Sequence, residues 1–424
     1  MRRLTGAADL LGLLAPLGAD AAIVLHSAAA EPTVLARWLA ESAAALPGRR
    51  VHTLMPMGAA PYAAEPACLS LRLATFLPGV GLRTAMNSGH VHALRHALSE
   101  VPRLFERGML RADAVLLRVS PPDADGQVSL GVAVDYMPAV LAQARCVIAE
   151  IDASMPRTCG VSRFAARRID AFVEGVDGPH AVAAAAADDA ELRIARHVAS
   201  LVEDGAVLQL GVGALPDRVL AELGHMQHLG LHTGIIGEAA RALIESGVID
   251  NSRKLVRPGV SVATMALGSQ AFYEFLHDNP AVELHPCSFT HGAETLRALP
   301  SLCAINSALQ VDFAGCVNAE QVGARRISLP GGLPDFAHAA AAAPCGRSII
   351  ALRATTSSGV GSSVRSNIVA SLPVGQAPTL LPEAVDFVVT EHGIAALRGA
   401  TGQQRRKALM AIAHPAWCDT AAKS

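Results

Sequence analysis

The chain has 424 residues, enough for two or three domains. Hydrophobic residues make up 51% and charged residues 17%, which supplies large cores, while aromatics reach only 4%. The formal net charge of −2 leaves no concentrated basic face, so a nucleic-acid partner is not expected. Eight cysteines (Cys68, Cys146, Cys159, Cys287, Cys303, Cys316, Cys345 and Cys418) are scattered singly, with no CxxC pair and no metal-like Cys/His spacing. Reduced thiols in a cytoplasmic enzyme without a bound metal are the expectation.

The opening MRRLTGAADLLGLLAPLGADAAIVL contains an apolar run like that of an export signal. Asp9 and Asp20 bracket that run, and it continues into AAIVLHS, so a helix followed by a first strand is expected instead. No uninterrupted apolar stretch reaches transmembrane length, and no membrane partner is expected. Short apolar runs then alternate with helical periodicity. AAIVLHS (21–27), RRVHTLMP (49–56), ADAVLLRVS (112–120) and RCVIAEI (145–151) read as buried strands. TVLARWLAESAAAL and NSGHVHALRHALSEVPRLFERG read as helices between them. The pattern restarts with AVLQLGV (206–212), SLCAINSALQVD (301–312), SIIALRA (348–354) and VDFVVT (385–390) as later strands. Strand–helix alternation implies α/β architecture: two open domains with mainly parallel sheets covered by helices. An alanine-rich stretch before ELRIARHVASLVEDG is a linker or the first turns of a helix, which puts the boundary between domains 1–185 and 186–424.

Several short motifs have chemical readings. At Gly211 a strand runs into GVG and then a helix, and backbone amides at such a junction can hold a phosphate or an oxyanion. A tight strand-to-helix turn is the competing reading. The GVGALPD segment is not a dinucleotide fingerprint, because Asp217 stands where the last glycine belongs. SLPGGLPDF (328–336) is a second glycine loop, stiffened by Pro330 and Pro334. TEHGIAALRG (390–399) places Glu391 and His392 at an expected helix start, where an acid–base pair or a solvated surface pair would both fit. His232, His285, His291 and His414 stand isolated, no G-x-S-x-G elbow occurs, and Cys316 reads as a small buried thiol. SRFAARR (162–168) reads as a solvated helix face or a phosphate contact.

Taken together, long segments of the chain resemble one family. They include GLRTAMNSG (81–89), LSEVPRLFERG (98–108), VSPPDADGQVSLGVAVDY (119–136), AEIDASMPRTCG (149–160), LQLGVGALPDRVL (208–220), SVATMALGSQAFYEFLHDNPAVELHP (261–286), INSALQVDFAGCVNAEQVG (305–323) and VDFVVTEHGIAALRG (385–399). These are similar to the acetyl-CoA hydrolase/transferase family, which includes 4-hydroxybutyrate and acetate CoA-transferases. The resemblance implies two related α/β domains, a homodimer, and coenzyme A or acyl-CoA as the substrate. It implies a glutamate that attacks the acyl-CoA thioester and becomes a glutamyl-CoA thioester through an anhydride. It also implies an oxyanion hole from the amides of Val212 and Gly332. Contacts to CoA would come from Gly211, Val212, Gly213, Ala214, Leu215, Asn306, Gly331 and Gly332.

One departure bears on the chemistry. The family's nucleophilic glutamate lies in H-[ST]-E about 23 residues after the first glycine of the GxG loop, and the same count from Gly211 reaches Gly234, in HTG. The nearest carboxylate is Glu238; a helix over 235–243 would put positions 234 and 238 on one face and make Glu238 a substitute. Gln310 in SALQVD stands where the family pattern has a carboxylate, GGLPDF replaces a GGQVDF-like loop, and ATTSSGVGSSVRSN is a looser match. Without a side chain at 234, water or another acceptor can attack directly. The readings are an acyl-CoA:carboxylate CoA-transferase or acyl-CoA hydrolase, an acyltransferase with a non-carboxylate acceptor, or an inactive CoA-binding or partner subunit.

Overall fold

A computed structural model describes residues 1–183, 188–356 and 364–415. Residues 184–187 of the alanine-rich stretch, 357–363 of ATTSSGVGSSVRSN, and Cys418 lie outside the described residues. The chain forms two compact units. The first comprises Met1–Ala183, Val262–Thr290 and Arg326–Gly331, and the second Ala184–Ser261, His291–Arg325 and Gly332–Ser424. The first crossing falls beside the boundary read from the sequence, but that single cut leaves out the two later segments that return to the first unit.

The first unit is built on strands β1 (Arg2–Arg3), β2 (Ala22–Leu25), β3 (Arg50–Thr53), β4 (Arg72–Thr75), β5 (Val91–Ala93), β6 (Ala114–Val119), β7 (Cys146–Ile151) and β8 (Ala171–Glu174). They form one eight-stranded sheet in the order β1-β8-β7-β6-β2-β3-β4-β5, parallel throughout. The central strands AIVL and AVLLRV are buried along their whole length, as a sheet covered on both faces requires. Helices α1 (Ala7–Leu14) and α2 (Thr33–Ser42) bury Leu10, Leu14, Leu35 and Leu39 in the core that also holds Ile23 and Leu116. Part of the stretch expected to be helical from residue 87 is extended: Val91–Ala93 is the edge strand β5. Its HVHA pattern serves an alternating edge strand as well as a helix turn, and pairing with β4 decides the matter.

A buried charge cluster locks this unit. Arg118 of β6 and Glu150 of β7 are register partners and pair at 3.0 Å, both with fully buried side chains. The guanidinium also donates to Thr33 Oγ1 at 2.5 Å. The second carboxylate oxygen of Glu150 accepts from the amides of Val34 and Leu35 at 2.8 and 3.3 Å. Helix α2 has no side-chain cap of its own, so Glu150 caps it from the sheet. Burial pushes the Glu150 carboxyl up, while Arg118 and the two amides pull it back. Glu150→Ala should cost about 3–5 kcal/mol, because it strands the Arg118 charge. Replacing Arg118 by Met and Glu150 by Leu together should recover part of that loss, since the α2 amides still lose their cap and Asp152 its 3.9 Å cation. Urea unfolding of the three variants checks this; an equal loss in the double variant would contradict it.

The second unit contains β9 (Val207–Leu210), β10 (Gly230–Leu231), β11 (Leu302–Ser307), β12 (Arg347–Ala351), β13 (Phe387–Thr390) and β14 (Gly393–Ala396). The sheet order is β10-β9-β11-β12-β13-β14, parallel except for the β13–β14 hairpin. Helices α3 (Asp189–Ala199), α4 (Ala214–Glu222), α5 (Glu238–Glu245), α6 (Leu333–Ala342) and α7 (Gly402–Ala411) belong to it. Phe336 and Ala340 of α6 pack with Val207, Leu302 and Ala304, which seats that helix over β9 and β11. Glu391 and His392 sit at the turn of the β13–β14 hairpin, not at a helix start. Among the described residues, no helix is long and apolar enough to cross a membrane.

Candidate active site

Three neighbouring strands place the site. β10, β9 and β11 run parallel, so their carboxyl ends open on one edge of the sheet of the second unit, where open α/β sheets hold ligands. The end of β9 leads into Gly211–Gly213 and α4. The end of β10 leads into His232, Thr233 and Gly234. The two loops are stitched together: the His232 amide donates to the Leu208 carbonyl at 3.0 Å, and Thr233 Oγ1 donates to the Leu210 carbonyl at 2.6 Å. Helix α6 runs on within a few residues into β12, which is parallel to β11. Its start, at Gly332, therefore lies toward that same edge.

Gly211, Val212, Gly213, Ala214 and Leu215 are half-buried. Gly213 is the N-cap of α4 at φ +120°, a conformation that needs glycine, and no side chain caps the helix there. A Cβ at Gly211 or Gly213 would meet nothing within 4 Å, so no neighbouring group packs against those two positions. Uncapped helix starts after a strand are places where backbone amides can hold anions. Asn306 on β11 exchanges two hydrogen bonds with Gln209 on β9, at 2.9 and 3.3 Å. That pairing ties the two strands and leaves each amide with donor and acceptor capacity to spare.

Gly331 and Gly332 have different reasons to be glycine. Gly331 is buried at φ +58°, and its carbonyl accepts from the Leu98 amide at 2.9 Å within the first unit. Gly332 is the uncapped N-cap of α6 with φ −87°, a backbone any residue adopts. Its constraint is space. A Cβ there would lie 2.5 Å from Nε2 of His291, and a Cβ on Gly234 would lie 2.9 Å from the same atom. The imidazole of His291 thus lodges against both glycines. Phe336 of α6 packs edge-on against it, with ring centroids 4.8 Å apart, and His232 lies 6.4 Å from Phe336 on the same measure. Burial drives His291 down to about 3, and nearby His232 adds to the shift, so the ring is neutral at physiological pH.

The structure does not place Glu238 as a substitute for the missing carboxylate. Ile235–Gly237 is extended and α5 begins only at Glu238, so positions 234 and 238 share no helical face. β-Branched Ile235 and Ile236 favour the extended form. Glu238 is exposed and faces Asp217 of α4, whose carboxyl is raised by burial and then by Glu238. Gln310 is occupied as an acceptor for Asn318 Nδ2 at 3.1 Å. Glu391 accepts from the Ala354 amide at 2.8 Å, a structural task. The Cys316 thiol is pushed up by burial, the reverse of an activated nucleophile. Arg163 of SRFAARR is in a short strand and pairs with Asp278 at 2.6 Å. Among the described residues, no group of three or more His, Cys, Asp or Glu is placed to hold a metal ion. His291 is the residue that sequence reasoning passed over. Nothing in its spacing connects it to Gly234; only the folded chain does.

This arrangement, a parallel α/β sheet with two glycine loops at its carboxyl edge, is one that the CoA-transferase fold shares with other ligand-binding α/β folds. Family models for the acetyl-CoA hydrolase/transferase N-terminal and C-terminal domains match residues 13–172 and 268–422. The 4-hydroxybutyrate coenzyme A transferase of Clostridium kluyveri is 36% identical over 393 residues, covering 93% of this chain and 91% of its own. A succinyl-CoA:acetate/propanoyl-CoA:succinate CoA transferase of Fasciola hepatica is 31% identical, covering 93% of this chain and 82% of its own. Among solved structures, 4-hydroxybutyrate CoA-transferase from Porphyromonas gingivalis superposes with TM-score 0.82 at 30% identity, over 100% of this chain and 96% of that one. RipA from Yersinia pestis gives TM-score 0.89 at 28% identity with the same coverage. The chain belongs to the acetyl-CoA hydrolase/transferase family.

The packing at Gly234 yields a test. Gly234→Glu should lower the thermal midpoint by about 2 °C or more, because its Cβ meets His291. His291→Ala in the same chain should relieve this, with a coupling of about 1 kcal/mol or more. Additive effects would show that the new side chain finds other space.

Proposed function

We propose that this protein opens the thioester of a small acyl-CoA and passes the acyl group directly to water, without a glutamyl-CoA intermediate at position 234. The observation that carries the reading is the imidazole against Gly234. It fills the space beside the backbone where the family resemblance sets the carboxylate, and a carboxylate would be required for the anhydride route. The amides of Val212 and Gly332 serve as the oxyanion hole, and the segment Gly211–Leu215 with Asn306 holds CoA. The uncapped start of α4 supports the second assignment. An oxyanion hole serves hydrolysis as well as transfer, since both pass through a tetrahedral oxyanion. The same open position suits a non-carboxylate acceptor as a second reading. A homodimer and a cytoplasmic place of action rest on the family resemblance.

Thiol release from a panel of acyl-CoAs, with and without acetate, tests the reading. Release that needs no acceptor and does not change with acetate is expected. Release only with a carboxylate would mean that another acid replaces the glutamate. CoA binding without any turnover would mark an inactive subunit. Gly213→Val should weaken CoA about tenfold or more, ~1.4 kcal/mol by calorimetry, because valine cannot hold φ +120° at the helix start.

A further inference from the structure

The strand order of the first unit's large sheet reverses between β2 and β6: the chain runs from β2 out to β5 on one side and from β6 out to β8 on the other. Open α/β sheets hold ligands at the carboxyl ends of strands beside such a reversal. A cavity of about 230 Å³ lies at those ends. Glu31, which follows β2, and Gly58, which follows β3, line it together with His180. Arg37 of α2 also lines it and is exposed, so the cavity opens to solvent on that side.

Two acceptors converge on its buried end. A Cβ on Gly58 would lie 2.7 Å from Oε2 of Glu31 and 2.9 Å from Nε2 of His180, so both atoms border the space beside that glycine. Glu31 is 1% exposed and is held by the Tyr62 hydroxyl and the Gly58 amide, each donating to it at 2.7 Å. His180 is fixed through its backbone. Its amide donates to the Ala29 carbonyl at 2.9 Å, and its carbonyl accepts from the Tyr273 hydroxyl at 2.8 Å. Its Nε2 is buried without a hydrogen-bond partner among the described residues. The ring bonds to the Glu31 carbonyl. With Nε2 unpartnered, that bond belongs to Nδ1–H, which puts the lone pair on Nε2. Burial, then the Arg118 charge, lowers the imidazole and favours this neutral form. A carboxylate and a lone pair that face one space call for a group donating to both.

The charge balance favours a cation there. Arg118 serves Glu150 at 3.0 Å, Asp152 at 3.9 Å and, through its field, Glu31, so three carboxyls share one guanidinium. Burial raises the Glu31 carboxyl, while Tyr62, the Gly58 amide and Arg118 lower it again. A bound cation would lower it further. An ammonium supplies that charge and has three hydrogens to donate. Beyond the polar end, Ala36, Ala60 and Pro61 line the cavity with carbon. At the open side the Arg37 guanidinium lies 3.9 Å from Glu41, a loose contact that leaves its donor fork able to meet a carboxylate.

We propose that this cavity binds a linear ω-amino acid of about four to six carbons, a length that suits its volume because about 150 Å³ suffices for benzene. The ammonium sits between Glu31 Oε2 and His180 Nε2, the methylenes lie against Ala36, Ala60 and Pro61, and the carboxylate meets Arg37. The inference does not depend on the thioester reading above.

Calorimetry on the full chain tests this with 4-aminobutyrate, 5-aminopentanoate and 6-aminohexanoate, beside pentylamine and pentanoate, which carry one end each. At least one amino acid should bind about tenfold or more tighter than pentanoate, which lacks the buried ammonium contacts. It should bind about threefold or more tighter than pentylamine, which lacks the exposed contact to Arg37. Arg37→Ala, a change at an exposed side chain, should remove the advantage over pentylamine. Gly58→Ala should abolish binding, because its Cβ takes the space between the two acceptors. If that variant does not fold, Arg37→Ala carries the test. No binding of any amino acid at millimolar concentration would overturn the proposal. So would pentanoate binding as tightly as the amino acids, or an Arg37→Ala variant that keeps the full advantage over pentylamine.

Discussion

The site depends on the parallel pairing of β10, β9 and β11. That pairing sends three chain segments off the same edge of the sheet, and the Thr233–Leu210 bond fixes the first two against each other. If the register of β10 slipped by one residue, His232 and Thr233 would exchange faces and Gly234 would leave the loop. The strand is only two residues long, so little of its register comes from β10 itself. Asn251 helps to hold it, with its side chain accepting from the Leu231 amide at 2.8 Å and donating to Ser261 Oγ at 3.0 Å.

Within that frame the chemistry is a competition for one volume. A Cβ on residue 234 would lie 2.9 Å from Nε2 of His291, so a glutamate there would press on the imidazole beside the β10 loop. A carboxylate there brings a nucleophile and a covalent intermediate. A glycine there brings no carboxylate and, on the proposed reading, leaves the thioester to an outside nucleophile. On the proposed reading the glycine loops are indifferent to this choice, because an oxyanion hole answers to the oxyanion and not to the attacking group.

Much of the fold was legible in the sequence for a definite reason. AIVL and AVLLRV are continuous apolar runs because parallel strands are covered on both faces. The strands that escaped notice, such as Arg72–Thr75 and Ala171–Glu174, are short, carry charge and lie away from the middle of the sheet, where the pattern is diluted. The missing carboxylate at 234 was legible through the family resemblance, since LHTG keeps its distance from Gly211. The proposed rescue by Glu238 failed as a local prediction: a helical period was assumed across Ile235 and Ile236, where the chain is extended. His291 was not legible at all. Its role depends on a tertiary contact between residues remote in sequence, and its own neighbourhood, FTHG, resembles any loop.

The most direct measurement is the intact mass of the protein, quenched with acid during turnover of an acyl-CoA. Direct attack on the thioester predicts released thiol and an enzyme of unchanged mass at every time point. A CoA adduct that appears and decays with turnover, on Glu238 or any other carboxylate, would contradict the account and restore a covalent route.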